Sequence, residues 1–186
     1  MVSVAPYRKS LPFRTMFNIL GPLVSPARPD AMVVGVAERE IGEPVAYALR
    51  DGGVKRALVV CGAEGLDEIS CAGDTFVWEL IDGTITATTI HPRMFGLPVH
   101  PLSSVVGGSP AENAETFQTL LRSGEAIPES LTGVLHFVLM NTAALLVVAG
   151  LAADYRKGVE MAMTSIVSGK AWEAFETFRE SCRDRP

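Results

Sequence analysis

Two adjacent carboxylates, Asp67 and Glu68, are the residues of this sequence whose type and spacing most directly indicate a functional site. No other acidic residues are adjacent in the chain, and this pair follows an apolar run at residues 57–61 in a loop that contains Gly62 and Gly65. Carboxylates just beyond a strand can hold Mg²⁺, a hard cation that takes oxygen ligands, keeps several waters and accompanies substrate phosphates. Asp67 and Glu68 could instead form an exposed acidic turn that binds no metal, and the spacing alone favours this second interpretation.

Arg8 is a second candidate, in a segment made rigid by Pro6 and Pro12. An arginine can bind a carboxylate or a phosphate through two parallel hydrogen bonds. Residues 1–29 contain four basic and no acidic side chains, whereas the rest of the chain contains 12 basic and 21 acidic ones. A short basic segment on an acidic domain suits an anionic small molecule better than a polyanion. A solvated N-terminal segment with a surface arginine explains the same residues, and composition alone favours it.

The other reactive residue types form no recognisable catalytic pattern. His91 and His100 precede prolines, and His136 lies in an apolar stretch, which is typical of a core histidine. No serine lies in a G-x-S-x-G turn, and the paired glycines match neither a dinucleotide fingerprint nor a P-loop. The residues alone therefore give no catalytic nucleophile or general base.

Length and composition indicate one globular domain over residues 1–186, and the order of its predicted elements makes the domain α/β. With 48% hydrophobic and 20% charged residues, the chain can form a core and is unlike disordered sequences. A net charge of −5 argues against general nucleic-acid binding. Three cysteines without a C-x-x-C pair indicate a reducing compartment, so we expect a cytoplasmic protein.

Residues 134–153 raise the question of a membrane span, since they are 20 residues without a charge. His136, Asn141 and Thr142 lie near the middle of this segment. We therefore expect no membrane insertion, and predict a helix that is buried on nearly every side within the domain.

The order of the predicted elements gives a βαβ unit, a hairpin and about four helices. Apolar runs at residues 31–36 and 57–61 predict two buried strands joined by a helix at 43–51, so the strands should be parallel. Asp-Gly at 82–83 predicts a hairpin between Thr75–Ile81 and Thr84–Ile90, with one covered face on its first strand. Ser109, Pro110 and Glu112 form the pattern of a capping box and predict a helix at 110–123. Further helices are predicted at 132–150, 155–168 and 171–183. Ligands of such sheets bind at the carboxyl ends of the strands, where residues 62–70 lie.

Four segments resemble the anthranilate phosphoribosyltransferase family. They are VAPYRKSLPFRTMFNILGPL at residues 4–23, the run ending in GLDEIS at 57–70, GGSPAENAE at 107–115 and NTAALLVVAG at 141–150. The resemblance covers nearly the whole chain, and the first segment combined with the D-E-I-S sequence is very specific.

The resemblance implies an activity and roles for particular residues. Members of the family use Mg²⁺ to transfer the 5-phosphoribosyl group of phosphoribosyl diphosphate to anthranilate in tryptophan biosynthesis. Their α/β domain is shared with pyrimidine nucleoside phosphorylases. By resemblance, Arg8 contacts the anthranilate carboxylate, Gly21 and Pro22 line the anthranilate channel, and Asp67 and Glu68 bind Mg²⁺.

This sequence also departs from the family pattern. It lacks the glycine-rich G-T-G-G-D diphosphate loop, the K-H-G-N segment and the N-terminal helical domain through which family members tend to dimerise. Pro12 replaces the usual glycine, and Val24-Ser25 replaces Thr-Asn. We therefore expect the chain to be the C-terminal portion of a family member, weakly active or inactive alone. Two alternatives are a non-catalytic remnant or interaction domain and a nucleoside phosphorylase relative, which fits the fold but not the first motif.

Overall fold

The structure, a computed structural model, describes residues 20–24 and 26–183. Its helices and strands are, in chain order, α1 (Leu20–Leu23), β1 (Ala31–Gly35), α2 (Gly42–Asp51), β2 (Arg56–Gly62), β3 (Thr75–Ile81), β4 (Thr84–Ile90), α3 (Pro110–Arg122), α4 (Thr132–Val148), α5 (Tyr155–Val167) and α6 (Lys170–Arg183). The predicted elements are confirmed with end positions that move by at most two residues. Two short 3₁₀ helices, Pro92–Phe95 and Leu102–Ser104, lie between β4 and α3.

The described strands form one sheet in the order β1-β2-β3-β4. β1 and β2 are parallel, with Ala31 opposite Arg56 and Gly35 opposite Val60, which confirms the βαβ unit. The other two pairs are antiparallel. Because β1 and β2 point the same way, their carboxyl ends meet at one edge of the sheet, and the chain leaves β2 there.

The β3–β4 hairpin forms at the predicted residues because of its turn chemistry. Asp82 and Gly83 both have positive φ, at 46° and 86°. Two consecutive positive φ values are the requirement of a type I′ turn, whose twist matches that of the strands. The sequence Asp-Gly therefore fixes the register in which Ile81 lies opposite Thr84.

Helices cover both faces of the central strands. On one face Val59 of β2 packs in a cluster with Trp78 of β3 and with residues of α2. On the other face Leu58 and Val77 pack in a cluster with residues of α4. The expectation of a single covered face on β3 is therefore wrong, because Val77 is 1% exposed. Val77 packs in a cluster that includes Phe95, which follows the hairpin, and residues of α4, and the local alternation of β3 does not encode these partners.

The apolar segment that ends in α4 is packed within the domain. Within the described residues, Glu129–Val148 is the one helical stretch long and apolar enough to cross a membrane, with a mean hydropathy of 2.0. Seven of the 17 residues of α4 are buried, nine are half-buried and Leu145 is exposed, so the helix is less completely buried than the sequence predicts. Gly158 of α5 lies so close that an added Cβ would approach the Cα of Ala143 to 2.8 Å. Contact with both the sheet and α5 explains the apolar composition.

A third cluster of apolar side chains joins the four helices from α3 to α6. α3 begins with the predicted capping box, in which the Ser109 hydroxyl accepts the main-chain N–H of Glu112 and the Glu112 carboxylate accepts the N–H of Ser109.

The three cysteines are free thiols, with Cys61 and Cys71 buried and Cys182 exposed.

Candidate functional site

The acidic turn, residues 62–70, leaves the carboxyl end of β2 and crosses the end of β1. Asp67 and Glu68 are both exposed on it. The main chain of Asp67 lies directly against Gly35, the last residue of β1, where an added Cβ would stand 1.6 Å from the Asp67 carbonyl oxygen. Only glycine permits this approach, because any side chain at Gly35 would occupy the space of the turn. The sequence therefore places the two carboxylates at the sheet edge where α/β sheets bind ligands.

Main-chain hydrogen bonds close the first part of the acidic turn. The N–H of Gly62 donates to the carbonyl of Leu66 over 2.8 Å, and the N–H of Gly65 donates to the carbonyl of Gly62 over 2.9 Å. Gly65 has a φ of 81°, a conformation that L side chains rarely adopt. Gly62 and Gly65, which the sequence places in this loop, therefore make the hydrogen bonds and supply the positive φ that the turn requires.

Buried polar groups fix the exit from the acidic turn. Ser70 and Thr75 have no exposed surface. The N–H of Ser70 donates to the Thr75 hydroxyl over 2.9 Å, and the Ser70 hydroxyl donates to the Glu64 carboxylate and accepts the N–H of Ala72. The Glu64 carboxylate is thereby engaged within the turn, although Glu64 is an exposed residue like Asp67 and Glu68.

One residue that the sequence analysis did not assign to the site, Asn141 of α4, also contacts the acidic turn. Its side-chain amide forms hydrogen bonds with both the N–H and the carbonyl of Ile69, the residue after Glu68. The only signal in the sequence is an asparagine amid apolar residues, where an unpartnered amide would be costly.

Negative charge accumulates at this edge of the sheet. Partial burial and the neighbouring Asp67 carboxylate raise the pKa of Glu68 above its usual value. Burial, followed by the nearby carboxylate of Glu40, raises the pKa of the Cys61 thiol in β2, and Glu64 and Asp67 act in the same direction. Carboxylates that repel each other are stabilised by a cation between them.

The donor set at the acidic turn fits a magnesium ion that is only partly held by protein. Throughout residues 20–24 and 26–183, no group of three or more His, Cys, Asp or Glu side chains is close enough to hold a metal ion. Asp67 and Glu68 would thus supply two carboxylates, with water and substrate oxygens completing the shell. Mg²⁺ usually binds in this way, through one or two carboxylates together with phosphates.

The other predicted site residues lie away from the acidic turn or outside the described part of the chain. Arg8 is outside the described residues. Gly21 lies exposed in α1, and Pro22 belongs to the same short helix. An added Cβ at Gly21 would meet no atom within 4 Å.

α1 lies beside a cleft at the opposite end of β1. The cleft has a volume of about 530 Å³, and its lining includes Leu23, Asp30 and Gly53. Asp30 precedes β1, whereas the Asp67 carbonyl lies against the last residue of that strand. The described residues therefore do not bring Gly21 next to the acidic pair.

Comparison with known proteins gives the family. The glycosyl transferase family, a/b domain, matches residues 1–172. The chain belongs to this family. Among curated members, the anthranilate phosphoribosyltransferase of Schizosaccharomyces pombe is 47% identical over 176 residues, which are 95% of this chain and 49% of that protein. The one from Deinococcus radiodurans is 42% identical over 174 residues, with 94% and 50% covered.

Solved structures of this glycosyl transferase family share the fold. Anthranilate phosphoribosyltransferase from Saccharomyces cerevisiae in complex with PRPP and Mg superposes with a TM-score of 0.88 at 32% identity, over 98% of this chain and 51% of that one. The Thermus thermophilus enzyme gives 0.81 at 37% identity, over 94% and 50%. The chain spans about half the length of the relatives it matches.

A pair of histidines links the acidic turn to α4. His100 Nε2 and His136 Nδ1 are 2.7 Å apart, and the main-chain N–H of His100 donates to the carbonyl of Cys71, just beyond the turn. Both rings are half-buried. The hydrogen bond needs a lone pair on one ring, so it is lost when both rings are protonated. The interpretation of His136 as a partnered core histidine agrees with this contact.

We expect stability to fall on acidification because of His136. Burial and the nearby His100 lower the pKa of His136, so the unfolded chain binds this proton more readily than the folded one. The free energy of unfolding should therefore decrease as the pH falls below about 6.5, the ordinary histidine value. Denaturant titrations between pH 7.5 and 5 should show a weaker pH dependence in His136→Gln. His91→Asn is the control, because Asn can still cap the turn that His91 caps. Equal pH slopes for His136→Gln and the unmodified chain would exclude this role.

Proposed function

We propose that the intact protein transfers the 5-phosphoribosyl group of phosphoribosyl diphosphate to the amino group of anthranilate, as in tryptophan biosynthesis. The observation that carries the proposal is the exposed acidic pair Asp67–Glu68 at the carboxyl edge of β1 and β2, in a chain similar to anthranilate phosphoribosyltransferases. The substrates are two small anionic molecules, and we place the reaction in the cytoplasm.

The acidic pair would serve the leaving group. Asp67 and Glu68 would hold Mg²⁺ through carboxylate oxygens, and the bound ion would offset the charge that accumulates on diphosphate. The close contact at Gly35 and the hydrogen bonds of the turn hold the main chain that carries both carboxylates. A fixed main chain matters because carboxylates that are already positioned need not reorganise while negative charge accumulates on the diphosphate.

The basic N-terminal segment would serve the acceptor. Arg8 would bind the carboxylate of anthranilate. Gly21 and Pro22, which belong to the short helix α1 at the opposite end of β1 from the acidic pair, would line the path by which anthranilate enters. The amine lone pair then forms the new bond to ribose C1 as the bond to diphosphate oxygen breaks, and the amine proton passes to solvent. An aromatic amine is a weak nucleophile, so holding it close to C1 is the main contribution that the protein can make.

The experiment that tests this function is an assay of the intact protein with phosphoribosyl diphosphate, anthranilate and Mg²⁺. Chromatography should show the phosphoribosyl adduct of anthranilate forming together with an equal amount of diphosphate. A parallel reaction with thymine and ribose 1-phosphate tests the nucleoside phosphorylase alternative and should give no product. An intact protein that transfers nothing to anthranilate would favour a non-catalytic interaction domain.

Arg8→Ala should raise the KM for anthranilate in the intact protein. A charge-assisted pair of hydrogen bonds contributes about 1.5–3 kcal/mol, so the increase should be about 10–100-fold. The KM for phosphoribosyl diphosphate should change little. Lys9→Ala is the matched control, since it removes the neighbouring cation, and it should behave like the unmodified protein. Unchanged anthranilate kinetics in Arg8→Ala would remove Arg8 from the site.

A further inference from the structure

Asn141 holds the main chain of the acidic turn from a distance of 72 residues in sequence. Its Oδ1 accepts the N–H of Ile69 over 3.0 Å, and its Nδ2 donates to the carbonyl of Ile69 over 3.3 Å. The same Nδ2 donates to the carbonyl of Phe137, one turn earlier on α4, over 3.1 Å. The Asn141 amide therefore satisfies both main-chain groups of Ile69, as the main chain of a neighbouring strand would. Its hydrogen bond to the Phe137 carbonyl fixes the orientation of the amide on α4.

This contact lies next to one carboxylate of the pair. Glu68 stands between two fixed points, since Asp67 is pressed against Gly35 and Ile69 is bound by Asn141 and is 1% exposed. Rotation of the main chain around Glu68 would have to break one of these contacts. The main-chain conformation at Glu68 thus depends in part on α4, a helix that supplies no ligand to the proposed metal site.

α4 is well suited to serve as this anchor. It packs on the sheet through Met140 and Ala143, which have no exposed surface, and it is crossed closely by Gly158 of α5. A side chain that projects from a helix packed in this way has little freedom to move. Asn141 thus lies between two residues of α4, Met140 and Ala143, that are packed in the core.

We propose that Asn141 is a positioning residue that sets the affinity of the acidic turn for a divalent cation. The proposal rests on the function proposed above, because it requires Asp67 and Glu68 to be the ligands. Asn141 touches no substrate and acts through the main chain of Ile69. Loss of residues that orient metal ligands typically weakens metal binding by about 10–100-fold.

The test measures the affinity of the intact protein for Mn²⁺, a paramagnetic probe that takes the same oxygen ligands as Mg²⁺. Asn141→Ala should weaken Mn²⁺ binding by about 10–100-fold and speed hydrogen exchange at the Ile69 amide. Thr142→Ala, on the adjacent position of α4, is the control for general loss of helix packing and should retain the unmodified affinity.

Asn141→Asp gives a second variant that keeps the side-chain volume and the acceptor for the Ile69 N–H. Its added negative charge would by itself strengthen cation binding. We expect weaker binding, because the donor to the Ile69 carbonyl is lost. Tighter or unchanged Mn²⁺ binding in both Asn141 variants would overturn the proposal.

The affinity of Asp67→Asn/Glu68→Gln separates a failure of this inference from a failure of the function. If that double variant binds Mn²⁺ as the unmodified protein does, the acidic pair is not the metal site and both proposals fall. If the double variant loses Mn²⁺ while the Asn141 variants keep it, only the positioning role is wrong.

Discussion

Replacing Asp67 with Asn and Glu68 with Gln in the intact protein is expected to lower the rate of phosphoribosyl transfer by at least about 10²-fold. Amides keep the size of the carboxylates but remove both negative charges, so the affinity for Mg²⁺ should fall and its half-saturating concentration should rise at least about tenfold. Initial rates measured over a range of Mg²⁺ concentrations give both quantities.

Glu40→Gln is the matched control for this double substitution. Glu40 lies in the 3₁₀ helix Arg39–Ile41, and its charge acts on Cys61 at the same edge of the sheet. Glu40 lies outside the acidic turn, so a general loss of negative charge would also lower the rate in Glu40→Gln, through one charge instead of two. We expect near-normal rates and Mg²⁺ dependence in Glu40→Gln. Equal behaviour of the two variants would mean that the acidic pair acts only through the overall charge.

Gly35→Ala should have the second largest effect, through a single methyl group. Its Cβ would stand 1.6 Å from the Asp67 carbonyl oxygen and 2.4 Å from the carbonyl carbon, and both are main-chain atoms that cannot swing aside. The acidic turn must therefore shift by more than about 1 Å, a displacement that can reduce the rate about 10²-fold. Stability should fall by about 1–3 kcal/mol, the usual cost of overpacking.

Gly73→Ala provides the comparison for Gly35→Ala, since Gly73 lies a few residues beyond the acidic turn and an added Cβ meets nothing within 4 Å. Denaturant titration and initial rates should leave Gly73→Ala close to the unmodified protein. Normal activity in Gly35→Ala would show that the contact between β1 and the acidic turn is unimportant for catalysis.

Local chemistry in the sequence was sufficient for much of the fold. Asp82-Gly83 located the hairpin because few residues accept two consecutive positive φ values. Ser109, Pro110 and Glu112 located the start of α3 because each satisfies a specific requirement of a helix N-terminus. The two faces of β3 could not be predicted in this way, since Val77 packs in a cluster with residues outside the hairpin, among them Phe95 and Met140.

The candidate site was predictable only in part, for a similar physical reason. The acidic pair follows a buried strand, and the ends of parallel strands are known binding edges. Gly35 and Asn141 were not identified, because their importance comes from contacts across 32 and 72 residues with the turn. The roles of Arg8, Gly21 and Pro22 stay predictions that depend on the resemblance.

The most direct test of the whole account is a crystal structure of the intact protein with Mg²⁺, phosphoribosyl diphosphate and anthranilate. We expect Mg²⁺ at about 2.0–2.1 Å from oxygens of Asp67 and Glu68 or of their bound waters, beside the diphosphate. The Arg8 guanidinium should face the anthranilate carboxylate in the same cavity. A metal bound elsewhere, or an Arg8 on the far side of the molecule from the acidic turn, would contradict the account.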